Sequence, residues 1–96
     1  MTYKIQILPM AQRDFKKLGH NKEVIKALRD AIRNLAANPR PEGCKNLLGN
    51  IYRIRIKKYR IIYQVEDKVL TIIILHLGPR KDIYRVLNQL FQKYLR

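Results

Sequence analysis

The chain has no tryptophan, a single cysteine, four glycines and four prolines in 96 residues. With Cys44 alone no intrachain disulfide can form, so the fold must rest on a packed core, and a reducing compartment fits. Without tryptophan, a basic amphipathic membrane anchor lacks its usual aromatic side. No apolar run approaches the length of a membrane span; the longest, residues 69–77, is interrupted by Thr71 and His76 and is strand-sized. The opening Met-Thr-Tyr-Lys-Ile-Gln has no signal-peptide hydrophobic region. These absences predict a soluble cytoplasmic protein with no membrane partner. Acid is the other scarcity. Seven Asp and Glu stand against 21 Lys and Arg, for a net charge of +14. On so small a surface neighbouring cations repel each other within a Debye length of roughly 8 Å, and nucleic acid or an acidic protein would relieve that repulsion.

What is present is the pattern of one globular domain spanning residues 1–96, with a hydrophobic fraction of 47%. Residues 3–8 alternate apolar with Lys and Gln, as a short strand does. Pro9 suits a first helical position, Ala11, Phe15 and Leu18 lie on one helical face, and Gly19 can end the helix. Asn21 is the N-cap expected for a second helix, whose stripe is Val24, Ile25, Leu28, Ala31, Ile32 and Leu35. Pro39 stops it near Ala37, and residues 39–50 read as a connecting loop. A strand from Ile51 turns at Lys57-Lys58 into a second, residues 59–66, and a further hairpin leads to a central strand over residues 69–77 that Gly78-Pro79 stops. Asp82 caps a last helix through Tyr94. The expected order is β-α-α-β-β-β-α. This is an α+β fold with a mostly antiparallel sheet packed against a helical hairpin, plus a C-terminal helix.

The stretch Ile-Tyr-Arg-Ile-Arg-Ile-Lys-Lys-Tyr-Arg, residues 51–60, holds five cations in ten positions. Because alternate strand side chains face opposite ways, Tyr52, Ile54 and Ile56 should meet a core, and Arg53, Arg55 and Lys57 should line the other face together. Taken alone, such arginines describe a solvated strand face as well as a surface that holds a polyanion.

Four pieces in register narrow the choice: Leu47-Leu48-Gly49, Tyr52-Arg53-Ile54-Arg55, Tyr59-Arg60-Ile61-Ile62-Tyr63 and Gly78-Pro79-Arg80-Lys81-Asp82-Ile83-Tyr84. In this order and spacing the chain resembles the RelE family of toxins, within the RelE/ParE toxin–antitoxin superfamily. The resemblance implies a metal-independent, ribosome-dependent mRNA endonuclease that needs no cofactor. Its partners would be the ribosome with its mRNA and a cognate, RelB-like and acidic antitoxin protein. It further implies that Arg53 and Arg55 hold the RNA backbone and that Arg60, Arg80 and Tyr84 carry the catalysis; Lys45, just ahead of these pieces, is expected to touch the RNA backbone as well. In such a reaction the 2′-hydroxyl attacks the adjacent phosphate. Cations steady the developing charge, and Tyr84, whose ordinary pKa is about 10, acts as base with its phenolate favoured by nearby guanidinium groups. Arg80 would stabilise or protonate the leaving 5′-oxygen. Arginine stands here at positions where some members have lysine, which suits bidentate phosphate contact rather than proton shuttling. The alternative within the same superfamily is a ParE-type toxin, which inhibits DNA gyrase and cuts no RNA.

Overall fold

A computed structural model of the protein describes residues 2–79 and, beyond them, Arg85, residues 87–89 and Gln92. The elements are β1 (Lys4–Ile7), α1 (Pro9–Lys17), α2 (Lys22–Ala37), β2 (Lys45–Leu48), β3 (Ile51–Ile56), β4 (Tyr59–Glu66) and β5 (Thr71–Pro79), with a 3₁₀ turn at Asp67–Val69. They form one five-stranded sheet in the order β1-β5-β4-β3-β2. Only β1 and β5 pair in parallel; the other three pairings are antiparallel. The α+β class and the helical hairpin are as the sequence predicts. Of the expected helix over residues 82–94, the described residues are all helical, and the remainder lies outside the description.

Local chemistry accounts for the helices. Pro9 opens α1, and Gly19, at a φ of 63°, takes the left-handed conformation that ends it. The side chain of Asn21 accepts from the Val24 N–H at 3.3 Å, capping α2 as predicted. The α2 stripe then buries Leu28, Ile32 and Leu35.

The sheet is covered on both faces. On the helix side, Leu28, Ile32, Leu35 and Ala11 pack with Ile54, Ile61, Tyr63, Val65, Ile72, Ile74 and Leu77. Tyr52 and Ile56 join this core at its margin, as strand alternation requires. On the opposite face a smaller cluster joins Ile51 and Ile62 with Leu47, Leu75 and Leu87 from the C-terminal segment. At the end of the sheet remote from the β3–β4 turn, a polar clamp holds the loop after α2. Arg40 contacts Asp67 through both terminal nitrogens, at 2.8 and 3.3 Å, and donates from Nε to the Tyr52 hydroxyl at 3.0 Å. Tyr3 donates to the same carboxylate at 2.6 Å, and Tyr63 donates to the Pro39 carbonyl at 2.7 Å.

Three expectations are corrected. The stretch expected as a loop contains β2, a four-residue edge strand paired with β3. So short a strand carries too few residues for alternation to register. Lys57 is a turn residue, at a φ of 56°, and does not share the strand face with Arg53 and Arg55. Finally, β5 starts at Thr71 rather than Val69, because Val69 ends the 3₁₀ turn and Leu70 is left-handed at a φ of 46°. The strand also continues through Gly78 to Pro79, where a proline is tolerated at the last position.

Candidate nucleic-acid interface

Sheet register decides which cations meet. Lys45 lies opposite Arg53, Arg53 opposite Ile62, and Ile62 opposite His76. One step toward the turn, Arg55 lies opposite Arg60 and Arg60 opposite Gly78. Directly paired residues in a sheet project to the same side. Lys45, Arg53 and Arg55, expected to bind RNA, and Arg60, expected to be catalytic, therefore share one sheet face in two adjacent rows, and no paired residue of either row is a carboxylate.

The four cations differ in depth. Lys45 and Arg55 are exposed, Arg53 is half-buried, and Arg60 is only 6% exposed. Arg60 sits on the central strand β4, between Arg55 and Gly78 in register, and its side chain is buried. Beside these rows lies the apolar cluster of Ile51, Ile62, Leu75 and Leu87. The result is a graded surface with exposed charge at the rim and a buried charge at depth. A phosphate seated there would meet donors from two strands at once, and the buried cation would act in a medium less screened than water. The cations of these rows are all arginine or lysine, which suits charge stabilisation and phosphate contact rather than base-edge reading.

Arg80 and Tyr84, the other two predicted catalytic residues, lie outside the described residues. The description of β5 ends at Pro79, opposite Tyr59 and next to the row that contains Arg60.

A buried polar pair was not anticipated. Asp14, 7% exposed, accepts from the Leu77 N–H at 3.1 Å, and its Oδ2 lies 2.6 Å from His76 Nδ1. The signal for it was in the sequence. Positions 11, 14, 15 and 18 fall at i, i+3, i+4 and i+7, so Asp14 occupies a core position of the α1 stripe, where a carboxylate needs a partner.

A family model described as the ParE toxin of type II toxin–antitoxin system, parDE, matches residues 5–84. Toxin RelG of Mycobacterium tuberculosis is 30% identical over 88 residues, which cover 88% of this chain and 99% of that protein. Among solved structures, the archaeal RelE–RelB complex from Pyrococcus horikoshii contains a similar chain, with a TM-score of 0.71 and 29% identity over 83% of this chain and 97% of that one. The toxin–antitoxin complex RelBE2 from Mycobacterium tuberculosis gives a TM-score of 0.71 and 25% identity, over 83% of this chain and all of the other. With a family model spanning most of its length and a curated toxin matched nearly end to end, the chain belongs to the RelE/ParE superfamily of type II toxin–antitoxin toxins.

Proposed function

We propose that the protein is an mRNA endonuclease acting at the ribosome, and that the face carrying Lys45, Arg53, Arg55 and Arg60 receives the RNA backbone. One observation carries this reading. Four cations drawn from three strands lie in two adjacent rows on one face, with one of the four buried and no acidic residue among the described residues paired in those rows. Keeping like charges side by side costs stability, and a polyanionic ligand removes that cost.

In the reaction, the 2′-hydroxyl of the RNA attacks the neighbouring phosphorus, the bond to the 5′-oxygen breaks, and a 2′,3′-cyclic phosphate forms. Lys45 and Arg53 hold flanking phosphates, while Arg55 and Arg60 face the charge that builds on the scissile group. Losing one such preorganised donor typically costs about 3–4 kcal/mol of transition-state stabilisation. Tyr84 takes the 2′-hydroxyl proton, and Arg80 serves the leaving oxygen. Apart from His76, which is buried against Asp14, the sheet rows contain no candidate general base, which suits a nuclease whose substrate is oriented by the ribosome.

A cognate antitoxin follows from the same charge. The net +14 invites an acidic protein, and the relative from Pyrococcus horikoshii was solved as a RelE–RelB complex.

The second reading, a gyrase-directed toxin, is kept alive by the family description, which names ParE. Fold does not separate the two. Purified protein added to programmed ribosomes, with mRNA ends mapped by primer extension, does. Cuts within the A-site codon, lost in Arg60→Ala, Arg80→Ala and Tyr84→Phe, support the nuclease. Intact mRNA together with inhibited gyrase supercoiling supports the alternative.

A further inference from the structure

The parallel partner of β5 stops early. β1 pairs through Ile7 with Ile74, and the Leu8 N–H donates to the Ile74 carbonyl at 3.1 Å before the chain turns into α1. For the last part of β5 the outer edge has no strand beside it among the described residues. Asp14 of α1 takes that place, accepting from the Leu77 N–H at 3.1 Å while its Oδ2 lies 2.6 Å from His76 Nδ1. Both side chains are more than nine-tenths buried. Leu77 is buried, so its amide needs a partner from the protein, yet a buried carboxylate is an expensive one because its charge must leave water. What the carboxylate adds is direction. It is a charge-assisted acceptor tied both to the backbone at Leu77 and to the imidazole one residue before it.

The position of this tie matters for the site. His76 ends the row Lys45–Arg53–Ile62, and Gly78, one residue past Leu77, faces Arg60. The strand so anchored is also the one that leads, after Pro79, into the segment bearing Arg80 and Tyr84.

We propose that Asp14 and His76 are positioning residues, which fix the end of β5 against α1 and thereby hold Gly78 in register with Arg60. This rests on the nuclease reading above. In a reaction governed by placement, a displacement of about 1 Å can cost roughly a hundredfold in rate. The effect therefore belongs in the cleavage step rather than in binding to the ribosome.

Two measurements on the full chain test it. Amide hydrogen exchange at Leu77 and Gly78 reads the anchor, and single-turnover cleavage on programmed ribosomes over a range of toxin concentrations reads its consequence. Asp14→Ala is expected to speed exchange at both amides and to lower the saturating cleavage rate by about tenfold or more, with the half-saturating concentration moved less than about twofold. Asp14→Asn can place its carbonyl oxygen where Oδ2 serves both Leu77 N–H and the imidazole, and should recover most of the rate. Where Asp14→Ala fails to fold, His76→Ala lowers the same rate. Variants that cleave like wild type, or that lose half-saturation rather than rate, overturn the proposal, as does Asp14→Asn cleaving no faster than Asp14→Ala. A wild type that leaves mRNA intact overturns the nuclease reading itself. That result differs from failure of the inference alone, in which wild type and variants cleave equally.

Discussion

Removing Arg55 should make the free protein more stable while making it a poorer nuclease. Arg55 is exposed and lies directly across from the buried Arg60. Like charges placed opposite each other in a sheet are destabilising. Two unit charges about 7 Å apart repel by about 0.6 kcal/mol before screening at the water dielectric of ~80, which is the least that a pair with one exposed and one buried member carries. At about 10 mM salt, where the Debye length is roughly 30 Å, some 0.5 kcal/mol survives; at about 1 M, where it is roughly 3 Å, less than about 0.1 kcal/mol does. For a domain of this size that corresponds to a gain in Tm of about 2–4 °C for Arg55→Gln at low salt and almost none at high salt. Thermal melts of both proteins at the two salt concentrations measure this, and glutamine preserves the aliphatic stem. The same variant should cleave mRNA at least about tenfold more slowly, since a donor facing the scissile phosphate is gone. A variant that melts lower than wild type by the same amount at both salts would refute the reasoning, because Arg55 would then be holding the fold rather than straining it.

Two further outcomes concern the frame around the site. Lys57 occupies the left-handed region at a φ of 56°, so Lys57→Gly should stabilise the protein by roughly 0.5–1 kcal/mol in urea denaturation, while Lys57→Ala, which removes the same charge, should not. Asp67 is held below the usual carboxylate range, first by the hydrogen bonds from Arg40 and then by that from Tyr3. A carboxylate with a lowered folded pKa contributes stability that is complete above its unfolded value near 4 and is lost as pH falls through the folded value. Wild type should therefore lose stability from about pH 4 downward, and Asp67→Asn should flatten that limb in acid titrations followed by circular dichroism.

Much of the architecture is legible in sequence because its signals are local. Asn21, the α2 stripe and Gly19 mark the helical hairpin through capping and period alone. The alternation of Tyr52, Ile54 and Ile56 with Arg53 and Arg55 orients β3 correctly. What sequence leaves out is register. That Arg60 pairs with Arg55 and Lys45 with Arg53 follows only once the Lys57-Lys58 turn and β2 are in place, and β2 is too short to announce itself. Lys57 shows the same limit from the other side, since a continued strand would have aligned it with the arginines and the turn withdraws it. The Asp14–His76 pair joins residues 62 positions apart in sequence, and no periodicity links them. Only the misplaced charge on the α1 stripe pointed to Asp14.

The central claim is that this cation face serves RNA cleavage by the 2′-hydroxyl, and the chemistry of the cut end tests it most directly. Programmed ribosomes are incubated with the purified protein, and the upstream mRNA fragment is weighed by mass spectrometry. A 2′,3′-cyclic phosphate at its 3′ end is the predicted result. A free 3′-hydroxyl, or mRNA that stays whole, would contradict the account.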